Sequence, residues 1–286
     1  VRFCVLVNLY RPDAVQAARA VAGWLIAKGH EVVTDRESEN ELGAKGEPTE
    51  SLAHVDLMVT FGGDGTLIRA AHLCSATGTP ILGVYYGRFG FVTQCAPSET
   101  GAAISQFLDN KARVEERMMI QTELVREGKA VATLHSLNEA VVQRSATTRM
   151  LTFEVKVNSK HLARYPADGI LVATPTGSTA YALSAGGPII DPSLEALLLA
   201  AVMPHTLSTR PLVLNAASVV EISIETRGDA VLSCDGQSRL HLLSGDLVRV
   251  TRSVRRTRLV SVGEGDFLDK LSSRLGWSQG RMEDEG

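Results

Sequence analysis

Val55-Asp56-Leu57-Met58-Val59-Thr60 runs into Phe61-Gly62-Gly63-Asp64-Gly65-Thr66, and then into Leu67-Ile68-Arg69-Ala70-Ala71-His72-Leu73. The first six residues read as a buried parallel strand and the last seven as a helix, so the glycines mark a strand-to-helix turn. Glycine has no Cβ, so three of them let a ligand come close to the backbone. The helix that follows points unpaired N–H groups and a partial positive charge at the same place, which suits a phosphate. Asp64 is an anion in this setting, which is unfavourable unless it has a task. Accepting a proton from an attacking hydroxyl, or meeting Mg²⁺ on a nucleotide, are the two tasks that fit.

Working outward, strand and helix alternate over the first ~120 residues, the pattern of an α/β layer architecture. Val1–Asn8 reads as a strand, and Pro12–Lys28 as a helix with Val15, Ala18, Val21, Ala22 and Leu25 on one face. Pro12 suits its first turn and Gly29 its stop. Glu31–Thr34 and Pro80–Val84 read as strands and Ser98–Leu108 as a helix, while the polar stretch Arg36–Glu50 reads as a mobile loop. Beyond Val114 the texture becomes β-rich, at Met118–Val125, Val131–Gln143, Leu151–Val157, Gly169–Ala173, Ser218–Ile224, Ala230–Cys234, Leu247–Thr251 and Arg258–Val262. Turn signals at Glu127-Gly128, Asn158-Ser159-Lys160, Arg227-Gly228-Asp229 and Ser244-Gly245-Asp246 predict antiparallel pairing. The expected fold is an α/β domain with a parallel-type sheet over residues 1–114. A larger, mostly antiparallel β-rich domain follows over 115–263. A tail over 264–286, helical from Asp266 to Leu275, is expected to pack back on the first domain.

The chain of 286 residues has 44% hydrophobic and 21% charged residues and a net charge of -3, an ordinary globular composition that points to neither nucleic acid nor membrane. No apolar run approaches the ~20 residues of a membrane span. No basic leader precedes the first strand, and Cys4, Cys74, Cys95 and Cys234 have no metal-ligand spacing. The expectation is a cytoplasmic protein with buried, reduced thiols and no protein-held metal.

The glycine turn is neither a Walker loop, since no GxxxxGK[ST] is present, nor a dinucleotide fingerprint, since Ile68 stands where GxGxxG needs its third glycine. Downstream, Asp168-Gly169-Ile170-Leu171-Val172-Ala173-Thr174-Pro175-Thr176-Gly177-Ser178-Thr179-Ala180-Tyr181 is an apolar strand followed by small hydroxyl residues. Such a cluster can encircle a base and ribose, or simply cap a loop-helix junction. Asn138-Glu139 can read an adenine edge through the Asn amide, although a lone pair at a strand edge is usually just solvated. Arg69 lies about one turn into the helix and can reach a phosphate or remain a solvated helix charge. Cys234-Asp235-Gly236-Gln237 reads as a turn between strands.

Taken in order, these segments resemble the bacterial NAD kinase family over most of the chain. The resemblance is carried by Gly62-Gly63-Asp64-Gly65-Thr66, Gly87-Arg88-Phe89-Gly90-Phe91, Asn138-Glu139, Asp168-Gly169 and Thr174-Pro175-Thr176-Gly177-Ser178-Thr179-Ala180-Tyr181. Ser184-Ala185-Gly186-Gly187-Pro188, Pro204-His205, Arg210-Pro211-Leu212, Cys234-Asp235-Gly236-Gln237 and the tail from Leu271 to Ser278 continue it. The Gly-Gly-Asp-Gly motif alone is shared with diacylglycerol-kinase-like and phosphofructokinase-like enzymes; its combination with the Thr-Gly-Ser-Thr-Ala-Tyr run is far more specific.

The resemblance implies phosphoryl transfer from ATP to the 2′-hydroxyl of the adenosine ribose of NAD, with Asp64 as the base. It implies that Gly62, Gly63, Gly65, Thr66 and Arg69 frame phosphates. Asp64, Gly65, Asn138, Glu139, Arg149, Thr179, Ala180, Tyr181, Ser184 and Gln237 would line the NAD pocket. Asp168 would contact NAD near its nicotinamide end, in the family often across a subunit interface, which implies a homodimer or homotetramer. Mg²⁺ or another divalent ion would travel with ATP, and polyphosphate is an alternative donor. Tyr165-Pro166-Ala167 and Tyr85-Tyr86 depart from the family pattern, the former where nicotinamide contacts are expected, so NAD⁺ against NADH stays open. Two other readings compete: a lipid or sugar kinase using the same glycine turn, and a non-catalytic pyridine-nucleotide sensor.

Overall fold

The computed structural model describes residues 1–87, 90–92, 95–145, 150–206, 208–224, 229–262 and 267–275. The chain forms two compact units. One comprises Val1–Glu116 with the chain from Thr257 onward, the other Arg117–Arg256.

The first unit runs β1 (Arg2–Val7), α1 (Pro12–Ala27), β2 (Glu31–Asp35), α2 (Glu39–Leu42), β3 (Lys45–Glu47), β4 (Leu57–Gly62), α3 (Asp64–Cys74), β5 (Ile81–Tyr85) and α4 (Thr100–Leu108). Its strands lie in the order β3-β2-β1-β4-β5, all parallel. The chain leaves β1 toward β2 and leaves β4 toward β5, so the order reverses between β1 and β4. A crevice opens outside the carboxyl ends of such a pair, and ligands of open α/β sheets bind there. The residues at those ends are Asn8 and the Gly62-Gly63-Asp64 turn.

Phe3, Leu6, Leu25, Leu57, Phe61 and Leu82 are fully buried in this unit. Each such side chain contributes about 1.5–3 kcal/mol by leaving water. The buried face of α1 is Ala14, Ala18, Ala22 and Leu25, with Val15 and Val21 flanking it. Ala18, Ala22 and Leu25 lie on the predicted face; Ala14 joins them, while Val15 and Val21 pack at its edges partly buried. The stretch Arg36–Glu50, read from sequence as a mobile loop, instead holds α2 and the edge strand β3. Polar groups build it: Asp35 accepts from the Ser38 N–H, and Arg2 makes two 2.8 Å bonds to Glu47.

The second unit takes β6 (Arg113–Arg126) from Arg117 on, β7 (Lys129–Ser136), β8 (Glu139–Arg144), β9 (Leu151–Val157), β10 (Lys160–Ala167), β11 (Gly169–Ala173), α5 (Tyr181–Ser184), β12 (Ala196–Val202), β13 (Leu212–Asn215), β14 (Val220–Ile224), β15 (Ala230–Cys234), β16 (Ser238–Leu242) and β17 (Leu247–Ser261) as far as Arg256. One antiparallel sheet has the order β13-β12-β11-β8-β15-β16. Its inner face, with Ala140, Val142, Ile170, Val172, Leu197, Leu199 and Leu232, shares a core with Phe153, Val155, Val220 and Ile222 of β9 and β14. Its other face carries Val141, Leu171, Ala173, Leu198, Ala200 and Val202, covered by Ala182 and Ile190. Both faces of β11 and β12 are therefore dry, so their sequences do not alternate. This is why Ala196–Val202 gives no strand signal by period.

Other strand boundaries also differ from expectation. The run Val131–Gln143 is two strands, β7 and β8, broken at Leu137-Asn138, and β10, β13 and β16 were not foreseen. The two segments predicted at Leu247–Thr251 and Arg258–Val262 are one strand, β17. It pairs with β14 at Val220↔Val250 in the second unit and with β5 at Leu259↔Ile81 in the first. The predicted turns Glu127-Gly128 and Asn158-Ser159 hold left-handed backbone at both residues, as tight hairpins require. A last helix, α6 (Phe267–Leu275), follows, and the predicted Arg227-Gly228 turn lies outside the described residues.

Candidate active site

At the glycine turn the three glycines serve different ends. A Cβ on Gly62 would stand 2.4 Å from Thr66 Oγ1 and 3.2 Å from the Asn8 Cβ, so this glycine lets β4 pack against its neighbours. A Cβ on Gly63 or Gly65 would meet nothing within 4 Å. Those two positions border open space, and the backbone there can be approached. Thr66 and Leu67 N–H groups both bond the Gly63 carbonyl as the first turn of α3.

Asp64 is the first residue of α3, and its Oδ2 accepts the Phe91 N–H at 3.0 Å. The sequence reading treats a carboxylate here as unfavourable, and the structure corrects that. At the first helical position the charge faces the positive end of the helix dipole, and a backbone donor orients it. Arg69, proposed from sequence for phosphate, pairs with the buried Asp35 at 2.9 Å. Arg88 and Phe89 lie outside the described residues.

In the second unit, Asn138 and Glu139 stand at the corner between β7 and β8. They are 7% and 8% exposed, so the solvated-edge reading fails. Asn138 Oδ1 and Glu139 Oε2 find no hydrogen-bond partner among the described residues. Burial, with Asp235 adding like-charge repulsion, pushes the Glu139 carboxyl up to about 8, against a bond from the Tyr181 N–H. Near neutral pH this group is mostly an acid that can donate a hydrogen bond.

The small-residue run docks against this corner. Thr174 Oγ1 donates to the Leu137 carbonyl, and the Thr174 N–H to the Asn138 carbonyl. A Cβ on Gly177 would lie 2.1 Å from the Asn138 carbonyl oxygen, so only glycine permits the approach. The 3-10 turn Thr176–Thr179 leads into α5. Two of its hydroxyls bond within the turn and to its neighbour Ile190. Ser178 Oγ donates to the Pro175 carbonyl and accepts the Ile190 N–H, and Thr179 Oγ1 donates to the Thr176 carbonyl. They brace the turn, leaving Thr179 and Ala180 half-buried and Tyr181 and Ser184 exposed.

A cavity of about 520 Å³ adjoins Tyr181 and Asp168, with Gln143, Arg144, Arg239 and His241 among its walls. Gly169, Gln143, Val231 and His241 occupy one register row across β11, β8, β15 and β16, and Gly169 places no side chain on that row. The Asp168 carboxylate accepts from Arg144 Nε at 2.7 Å. Gln237 is exposed in the β15–β16 turn, and Arg149 lies outside the described residues. Arg144, Arg239, His241 and Asp235 were missed by sequence reasoning, since their chemistry arises from strand pairing; only the Asp-Gly turn signal marked one of them. Among the described residues no group of three or more His, Cys, Asp or Glu could hold a metal ion.

Comparison with known proteins finds two matching domains along the chain. Residues 3–112 match the ATP-NAD kinase N-terminal domain and residues 137–262 the ATP-NAD kinase C-terminal domain. The NAD kinase of Moorella thermoacetica is 38% identical over 99% of this chain and 92% of its own length. That of Symbiobacterium thermophilum is 38% identical over 96% and 98%. Among solved structures, yeast NADH kinase complexed with NADH superposes with a TM-score of 0.92 at 24% identity, covering 100% of this chain and 90% of its own. An Archaeoglobus fulgidus NAD kinase in complex with ATP gives 0.74 at 24% identity, covering 91% and 94%. At that identity the two structures speak for the fold.

Proposed function

This chain belongs to the NAD kinase family, and on that premise we propose that Asp64 is the base that drives its reaction, the phosphorylation of NAD to NADP at the 2′-hydroxyl of the adenosine ribose. The observation that carries the proposal is the carboxylate at the start of α3, oriented by the Phe91 N–H and flanked by Gly63 and Gly65, whose Cβ positions are open.

A ribose hydroxyl is a poor nucleophile and a carboxylate a weak base, so complete deprotonation before attack would cost too much. In a loose phosphoryl-transfer transition state the proton leaves late. Asp64 then needs only to aim the hydroxyl and take its proton as the new P–O bond forms. The positive end of the α3 dipole stabilises charge on the transferring phosphoryl oxygens. Gly62 and Thr66 hold the turn's shape, and Arg69 holds α3 to Asp35. Magnesium would travel with ATP and would supply charge neutralisation at the phosphates; Asp64 is the one carboxylate on the turn.

Asn138 and Glu139 take the adenosine half of NAD, using the buried atoms that lack partners among the described residues. Thr179, Ala180, Tyr181 and Ser184 line its path, with Gln237 and Arg149 at the margins. Asp168 faces the nicotinamide end from the cavity it shares with Tyr181. The active form is a homodimer or homotetramer, a reading that rests on the family resemblance at Asp168 and is checked by light scattering. The decisive assay supplies ATP and NAD⁺ and measures NADP⁺ for the wild type and Asp64→Asn. An Asn variant with near wild-type turnover, still folded, would remove Asp64 from the role of base.

A further inference from the structure

Residues 137–139 make the corner that leads into β8, and their buried backbone groups need partners. The account closes on two residues. Asp235 takes all three donors: Oδ2 accepts the Leu137 N–H at 2.7 Å, and Oδ1 accepts the Asn138 and Glu139 N–H groups at 2.8 and 3.0 Å. Thr174 takes the carbonyls of Leu137 and Asn138, and the Asp235 N–H returns to the Glu139 carbonyl at 3.0 Å. Every backbone polar group of the corner is thus bonded, while two buried side-chain atoms, Asn138 Oδ1 and Glu139 Oε2, have no partner among the described residues.

Asp235 reaches this corner from the turn 234–237. That turn is closed by the Gln237 N–H on the Cys234 carbonyl, with φ of 50° at Asp235 and 68° at Gly236. Asn-Gly and Asp-Gly both suit such a position. The turn alone gives no reason to choose a carboxylate over an amide. Three converging N–H groups do, since an ionised acceptor bonds them more strongly than an amide can.

We propose that Asp235 is a positioning residue for NAD: its carboxylate gathers three consecutive backbone N–H groups and so sets the direction in which Asn138 and Glu139 present their unpartnered atoms. It touches no reacting group and acts through the corner it holds. The inference rests on the reading of Asn138 and Glu139 as the adenosine-binding pair.

The test compares full-length Asp235→Asn and Asp235→Ala by steady-state kinetics with NAD and ATP varied separately. Asn suits the turn's backbone and keeps one oxygen for the Asn138 and Glu139 amides, so it retains the fold; Ala removes every acceptor. KM for NAD is expected to rise ~10-fold in the Asn variant and more in the Ala variant, with KM for ATP unchanged, since small misplacements of binding groups are costly. Asp246→Asn serves as the control, because that buried carboxylate holds Arg126 in the same unit, remote from this chemistry in its contacts. It lowers the melting temperature without moving KM for NAD. Unchanged KM for NAD in both folded Asp235 variants overturns the proposal. So does a parallel loss for NAD and ATP, or an equal rise in the control. A wild type that makes no NADP⁺ defeats the kinase reading itself, and is told apart because it needs no variant.

Discussion

A single carboxylate behaves differently in the two places where this chain depends on one. Asp64 sits at a helix N-terminus with a backbone donor on one oxygen, a setting that aims it. Replacing it with Asn keeps the shape and removes the basicity, so turnover should fall by ~10²–10⁴ with little change in NAD affinity. Glu139 is buried, with one oxygen unpartnered, and its pKa is pushed up to about 8. The folded state therefore holds a proton that the unfolded chain has released between about pH 4.5, its ordinary value, and about 8. Stability from this group is complete below the lower value and is lost as pH rises through the upper one. The melting temperature of wild type relative to Glu139→Gln should accordingly decline from pH 5 to pH 8. Parallel curves for the two proteins would mean that Glu139 does not titrate in this window.

At the level of elements, the second unit depends on a close approach between the 3-10 turn and the corner before β8. Gly177 makes it possible, with its would-be Cβ 2.1 Å from a backbone oxygen that cannot rotate away. Gly177→Ala should destabilise the protein by about 1–3 kcal/mol or more, as overpacking does. It should also weaken NAD binding, because the corner must shift. Denaturant unfolding and NAD titration check the two effects, and an unaffected variant would show that the docking is loose. Gly63→Ala meets no atom within 4 Å, so its effect should fall on ATP-dependent activity alone.

For the molecule as a whole, all four cysteines are free and buried. Burial pushes the thiols of Cys95 and Cys234 up to about 11 and that of Cys74 up to about 12. The thiolate is the reactive form, so the native protein should resist a thiol-specific reagent at pH 8 and become fully labelled only in denaturant. Rapid native labelling would show that one of the units opens readily. No helix among the described residues is long and apolar enough to cross a membrane.

The glycine turn, its helix and the parallel sheet around it were legible in the sequence because they rest on local signals: a short apolar run, glycines and a 3.6-residue period. Family resemblance carried the activity and the named site residues. What the chain order hides is pairing across distance. β12 has no alternation because both its faces are covered, and Arg144 meets Asp168 only through the register of β8 on β11. Asp235 reads locally as a turn residue, yet its carboxylate serves amides 96 to 98 positions away. Local periodicity reports which face of an element is dry; which side chain fills which vacancy is settled only when strands far apart in the chain come side by side.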